Sequence, residues 1–425
     1  LRLSGEPHLT RKKKMRFLHT SDWHLGQTLH SFERTYEHQC FLDWLLDTIV
    51  RERPDGLLIS GDIFDNANPS AASQKQLYRF LQQAKLRSPD LDIILIAGNH
   101  DSGGRLEAAA PLLEGLGITV VGHVRRNANG EIELEPLLVP MKNRDGKIAV
   151  CCLAIPFLRP GDVPKIEAAN DAYMEGISLL YRQAFELALS QRKPGQAIVA
   201  LGHCHMVGGE VSEDSERHIV IGGAEALSSG IFDPAIAYVA LGHLHKAQRV
   251  GRQERLRYCG SPLPMSFAEV DYTHQILSVD LDGEKLASVA VIPVPRAVDL
   301  LRVPGLPASV GDALAELAAL DLPSPAAQYT HPYLEVRVRL DMPEPGLRAR
   351  VEAALEGKPV RLAKIETSAT PGAAGAVNPM SLDDLNRLQP EDVFKRLFHS
   401  RYGIDAPPGQ LAAFAELLSE SDASL

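Results

Sequence analysis

The sequence predicts an α/β fold, and three observations carry that prediction. Five short apolar runs rich in strand-forming residues recur between Met15 and His245. Helix-period patterns lie between several of them. Each run closes on Asp, Asn or His, and α/β sheets collect their ligands beyond the carboxyl ends of strands.

The elements follow in order. Residues 1–14 read as a leader or an upstream remnant, and Met15 as the beginning of the fold. The stretch after "RKKKMR" (11–16) is too short and too polar for a signal-peptide core. The five runs are "MRFLHTSD" (15–22), "GLLISGD" (56–62), "DIILIAGNHD" (92–101), "AIVALGHCH" (197–205) and "AYVALGHLH" (237–245), which suit strands buried on both faces. Residues 33–53 bring Tyr36, Cys40, Trp44, Leu45 and Thr48 near one helical face, and 73–86 and 104–117 carry weaker helical patterns. A strand over 148–162 ends at Pro156, and 171–191 form an amphipathic helix closed by "KPG". Residues 257–267 and 274–294 read as strands, the latter a pair joined by an Asp-Gly turn.

After the Pro-rich "VIPVPRAV" (291–298) the pattern changes. Strands at 298–303, 333–340 and 359–366 alternate with helices at 309–320 and 345–356, which predicts a small α+β module. Residues 367–379 are a linker of small residues. Amphipathic patterns over 382–403 and 409–420 offer apolar faces that suit docking on another chain; the competing expectation is that they pack back on their own domain. The expected domains are therefore 15–290, 291–370, and 371–425 as linker and helical partner-binding region.

Composition restricts the function classes. The 425 residues are 45% hydrophobic and 23% charged, enough for a sizeable core. A net charge of −10 does not point to nucleic acid by itself, since a local basic face is what matters. Five cysteines, without a C-x-x-C pair, argue for reduced thiols and a cytoplasmic location. No apolar run is long enough to span a bilayer.

The run ends bring together Asp22 and His24, Asp62, Asn99, His100 and Asp101, His203 and His205, and His243 and His245. In an extended segment, residues i and i+2 point the same way, so each Asp-x-His or His-x-His pair can face one pocket. A lone Asp or His at a strand end is usually a turn former. Five in register after β runs point to a metal site. Carboxylate, amide oxygen and imidazole suit an octahedral ion such as Mn²⁺ better than structural Zn²⁺, with Mg²⁺ or Fe²⁺ also compatible. More ligands are present than one such ion needs, whereas two ions sharing a carboxylate account for the number. His205 is either a ligand like His245 or a neighbour of the ligands. His19, His30, His38 and His123 lack such partners and read as solvated or core residues.

The ordered motifs D-x-H (22–24), GD (61–62), GNHD (98–101), GH (202–203) and GHxH (242–245) resemble those of the calcineurin-like metallophosphoesterase superfamily. More narrowly, "HTSDWHLGQ" (19–27), "GDIFD" (61–65), "AGNHDS" (97–102), "IPFLRP" (155–160), "YVALGHLHKAQ" (238–248) and "RYCGSPLP" (257–264) are similar to the SbcD family. These are the nuclease subunits of bacterial SbcCD-type DNA double-strand-break repair complexes. The resemblance is close from Met15 to Phe267. It is vaguer over 298–366, similar to that family's capping domain, and over "EDVFKRLF" (391–398), similar to its partner-binding region.

The resemblance implies a β-sandwich flanked by helices, then a small α+β capping domain and a C-terminal helical tail. It implies one ion on Asp22, His24, Asp62 and His245 and a second on Asp62, Asn99, His203 and His243. His100 would lie beside the scissile phosphate as transition-state stabiliser or general acid, and Asp101 would orient it. The implied activity is Mn²⁺-dependent double-strand exonuclease and single-strand or hairpin endonuclease action in DNA repair, recombination and replication. The implied partners are DNA and an SbcC-type SMC-like ATPase. A homodimer within a heterotetramer, through helices near 73–116, is also implied. The chain has no G-x-x-x-x-G-K-[ST], so any ATP dependence would come from the other subunit. Asp65 stands where archaeal and eukaryotic relatives usually carry His. Basic segments at 143–147, 245–257 and 337–364 are candidate DNA contacts, but such runs are mostly solvated faces. Two other functions fit the ligand motifs: a phosphoesterase of the same superfamily acting on phosphoprotein or small nucleotides, and a non-catalytic scaffold.

Overall fold

The computed structural model describes residues 14–166, 171–212, 226–323, 327–340, 344–369, 390–411 and 413–414. The expected leader except Lys14, most of the small-residue linker, and the outer parts of both expected tail helices lie outside those residues. The chain forms two units, residues 1–297 and 298–425.

The first unit is built on two six-stranded sheets. One runs in the order Lys285–Pro293, Gln275–Asp282, Lys14–Thr20, Gly56–Ser60, Asp92–Ile96 and Ile118–Val121. Its last four strands are mutually parallel. The other runs Gln248–Arg249, Leu256–Tyr258, Tyr238–Gly242, Ala197–His203, Ile148–Ala154 and Leu138–Lys142. The apolar runs are nearly continuous because both faces of these strands are covered. In the first sheet, Met15, Phe17, Leu58, Ile94 and Ile96 face the inter-sheet core. Their alternates Leu18, Leu57, Ile59, Ile93 and Leu95 face the helices Thr35–Glu52 and Ala71–Arg87. Burying each such side chain contributes ~1.5–3 kcal/mol.

The second helix starts where Ser70 Oγ accepts the N–H of Ser73, and helix Ala172–Gln191 starts where the Asp171 carboxylate accepts that of Met174. Its buried face, from Ile177 to Ala188, packs on the face of the second sheet that points away from the first.

Five elements differ from the sequence expectation. The helix over 104–117 is broken into Gly103–Glu107, Ala110–Leu113 and a 3₁₀ turn at Glu114–Leu116. Pro111 supplies no N–H for a continuous helix, so it begins a new first turn, and Gly117 closes the segment at φ 72°. The strand expected over 257–267 pairs only across Leu256–Tyr258, because Gly260 takes φ 80° and two prolines follow. The strand begun at Ile148 stops at Ala154. Strands Ile118–Val121 and Leu138–Lys142 were not legible as runs. The first is four residues long, and the second carries Pro140, tolerated because it is an edge strand.

The second unit has a three-stranded parallel sheet, Leu300–Ala308, Tyr333–Leu340 and Arg361–Ala369. Helices Val310–Ala319 and Leu347–Ala354 bury Ala313, Leu317, Leu347 and Val351 against Leu334, Val336 and Val338. Helix Pro390–Tyr402 follows, with Phe394 stacked on Phe414 at 4.4 Å between ring centroids. Among the described residues no helix is long and apolar enough to cross a membrane.

Candidate metal centre

Five strands deliver the site, three from the first sheet and two from the second. Asp22 and His24 follow strand Lys14–Thr20, Asp62 follows Gly56–Ser60, and Asn99 and His100 follow Asp92–Ile96. His203 ends strand Ala197–His203, and His243 follows Tyr238–Gly242. Across the sandwich, Ser60 Oγ donates to the Ala240 carbonyl at 3.1 Å, and the N–H of His243 donates to Asp22 Oδ1 at 2.9 Å. The first two loops zip together through Asp22 N–H to Gly61 O, His24 N–H to Asp62 O and Leu25 N–H to Ile63 O.

The backbone is strained at four of the expected ligand positions. Asp22, His24, Asp62 and His243 all take positive φ, at 54°, 46°, 49° and 105°. Non-glycine residues adopt this region at a cost of about 1–3 kcal/mol each, and such outliers cluster at functional sites. Gly98 is required for the same close packing: a Cβ there would lie 2.1 Å from Asp62 Oδ1 and 2.3 Å from the Asp62 nitrogen.

The side chains converge. Single ligand atoms of Asp22, His24 and His245 lie within 4.8 Å of one another, as do those of His24, Asp62 and His100, and of Asp22, Asp62 and His203. Asp62 Oδ2 lies 3.6 Å from His24 Nε2 and 3.4 Å from His203 Nε2. Asn99 Oδ1 lies 2.8 Å from His203 Nε2 and 3.2 Å from His243 Nδ1. His205 is in none of the three close groups among the described residues, and its ring centroid is 6.2 Å from that of His243. His19 and His38 are core residues, His30 is exposed, and His123 pairs with Glu107 at 3.1 Å.

Ring orientations follow from the carbonyls they meet. A carbonyl only accepts, so His203 donates Nδ1–H to Ser60 O at 2.8 Å and turns Nε2 inward. His100 likewise donates Nδ1–H to the Asp65 carbonyl at 2.7 Å. Asp101 acts on the backbone: its carboxylate accepts the N–H groups of Ile63, Phe64 and Gly98 at 3.1, 2.9 and 2.9 Å. Its influence on His100 therefore runs through the loop that carries them both. Three further polar residues shape the site, and of these only Asp65, in the GDIFD motif, stood out in the sequence. Ser21 donates its hydroxyl to Asp22 Oδ2 at 2.5 Å, Glu269 meets His245 Nδ1 at 2.9 Å, and Asp65 Oδ1 lies 3.6 Å from His24 Nδ1.

The electrostatics fit a divalent cation. Burial pushes the Asp22 carboxyl up, opposed by the His203 and His245 rings. Burial would push Asp62 up too, but His203, His24 and His100 outweigh it and hold the group well below the usual carboxylate range. Burial disfavours charge on His203, yet Asp62 and Asp22 push it up to about 9. Two fully buried carboxylates thus demand positive charge. His24 Nε2 is buried among them with no hydrogen-bond partner among the described residues, an imidazole nitrogen turned toward Asp62 as a ligand would be. Buried carboxylate, amide and imidazole donors of this kind make a divalent-metal site.

Comparison with known proteins agrees. The calcineurin-like phosphoesterase family matches residues 15–247, and the type 5 capsule protein repressor C-terminal domain family matches 296–402. The SbcD subunit of the SbcCD nuclease of Rhodobacter capsulatus is 38% identical over 390 residues, 90% of this chain and 94% of that relative. Its Escherichia coli K12 counterpart is 32% identical over 397 residues, 90% of this chain and 92% of the relative. The Bacillus subtilis protein of the same name is 36% identical over 272 residues, 63% of this chain and 66% of the relative.

Proposed function

The chain belongs to the calcineurin-like phosphoesterase family and is a metal-dependent nuclease of the SbcD type, and from that premise we propose how its site works. Asp22, His24, Asp62 and His245 hold one divalent cation, and Asp62, Asn99, His203 and His243 hold a second. The supporting observation is the position of Asp62 Oδ2, 3.6 Å from an imidazole of the first set and 3.4 Å from one of the second. Oxygen and imidazole donors without a thiolate favour Mn²⁺. When bound, two such ions supply a strong nucleophile from water at neutral pH and neutralise charge on the phosphate.

The chain's own residues do the rest. His100 sits at the edge of the cluster, half-buried, its ring centroid 4.8 Å from that of His24. Its Nδ1–H is held by the Asp65 carbonyl, so it is the doubly protonated ring, through Nε2–H, that passes a proton to the leaving oxygen and is left neutral. The Asp101 carboxylate holds the loops of Asp62 and Asn99 at fixed separation through its three backbone hydrogen bonds. Gly98 lets those loops touch.

The substrate is DNA, cut from double-strand ends and within single strands or hairpins, and the partner is an SbcC-type ATPase. Similarity to SbcD subunits of the SbcCD nuclease over 90% of this chain supports both. It also favours a nuclease over a phosphoprotein phosphatase or a scaffold. The chain acts as a homodimer within that assembly, in the cytoplasm. The test is degradation of end-labelled linear duplex by the purified chain with Mn²⁺, with and without the ATPase and ATP. Shortening that requires Mn²⁺ and responds to ATP only when the partner is present is the expected result. Hydrolysis of a small phosphodiester with the duplex left intact in the complete mixture would transfer the site to a small nucleotide or phosphoprotein.

A further inference from the structure

Glu269 lies beyond the segment that matches the phosphoesterase family, yet it reaches the metal centre. It is fully buried, in the 3₁₀ turn Phe267–Glu269 that Ser266 caps by accepting the N–H of Ala268. One oxygen, Oε1, meets His245 Nδ1 at 2.9 Å, and the other accepts the N–H of Met265 at 2.8 Å. A carboxylate is costly to bury without a partner, and here an equally buried imidazole faces it. Because a carboxylate accepts, His245 carries its proton on Nδ1 and presents Nε2 as a bare lone pair.

The segment that carries Glu269 is clamped to the loop of the first ligands. Arg34 donates to the Pro264 carbonyl at 2.6 Å and Gln27 to the Met265 carbonyl at 3.0 Å. The N–H of Ser261 donates to the His245 carbonyl at 3.1 Å. The turn is thus fixed relative to Asp22, His24 and His245 together. On the other side of Asp62 the arrangement differs, since the back of the His203 ring meets a neutral carbonyl, Ser60 O at 2.8 Å.

We propose that Glu269 is a positioning residue for the metal centre, holding His245 in the tautomer and orientation that binds the first cation. The proposal rests on the ligand assignment above. Carboxylate support makes an imidazole a better donor and fixes its direction, and losing such a partner typically costs about 10–100-fold in metal affinity. Substitution at 269 should therefore weaken one ion and spare the other.

The test uses the full-length chain and Mn²⁺ titration followed by electron paramagnetic resonance. Glu269→Gln keeps the side chain's size and an acceptor for Met265 but removes the charge. It is expected to bind one ion as the unaltered chain does and the other about 10–100-fold more weakly. Glu269→Asp, which restores the charge, should recover part of the loss and serves as the deciding variant if the glutamine form does not fold. In the metal-free chain, ¹⁵N spectra should show the Nδ1–H tautomer of His245 and its loss in Glu269→Gln. Unchanged affinity for both ions, or lowered thermal stability alone, would reduce Glu269 to an anchor for its own turn and overturn the proposal. His245→Asn separates the two layers. If it too binds both ions normally, the ligand assignment itself fails; if it loses one ion while Glu269→Gln loses none, only the role of Glu269 fails.

Discussion

At the scale of the residue, the site is an agreement between strained backbone and buried charge. Asp22, His24, Asp62 and His243 are held at positive φ where glycine would sit with less strain, so their side-chain chemistry is what keeps them there. His100 is the sharpest single test of the mechanism. Its replacement by Gln should lower DNA cleavage by about 10²–10⁴-fold, the usual contribution of a general acid. Metal content by elemental analysis should stay at two ions per chain, because His100 is outside the proposed ligand sets. A second prediction concerns acid. His19 and His38 are pushed down to about 3, burial being the largest cause in each. Their folded forms stay neutral while unfolded rings take a proton below the ordinary value of 6.5. Stability is therefore complete above that pH and drains away as pH falls toward 3, by about 2 kcal/mol per ring at pH 5. Urea midpoints at pH 7 and pH 5 should show the drop, and His38→Leu should remove about half of it.

At the scale of the element, the converging side chains could be read from the chain because each proposed ligand sits where an apolar run ends. The run and the polar residue are adjacent in sequence, and parallel strands buried on both faces give an unambiguous pattern. Elements with weaker signals were less legible. The helix expected over 104–117 concealed the restart at Pro111, and strand Leu138–Lys142 was hidden by its own proline. Residues acting through a fold-back were illegible for another reason. Glu269 and Arg34 take their roles from partners brought near by packing, such as Arg34 donating to Pro264, 230 residues away. The strand-end loops have little room for change. Gly98→Ala would drive a Cβ to within 2.1 Å of Asp62 Oδ1, a contact no rotamer can relieve because Asp62 N is also too near. We expect Mn²⁺ binding to be lost by calorimetry while the far-ultraviolet circular dichroism of the sheets is kept.

At the scale of the whole molecule, the sandwich brings together side chains that begin at Asp22 and end at His245, and no one segment holds a site. The cost is two buried carboxylates facing each other's field, with Asp62 raising the energy of the Asp22 charge. Cations relieve that cost, so folding and metal binding are linked. Adding Mn²⁺ at about 100 times its dissociation constant should stabilise the chain by about 2.7 kcal/mol per site, and chelation should lower the melting temperature correspondingly. The central claim is that two ions share Asp62. Anomalous diffraction at the manganese edge, from crystals of the full chain grown in Mn²⁺, tests it most directly. Two peaks roughly 3.5–4 Å apart, both in contact with the Asp62 carboxylate, are the predicted result. A single peak, or ions bound away from Asp62, would contradict it.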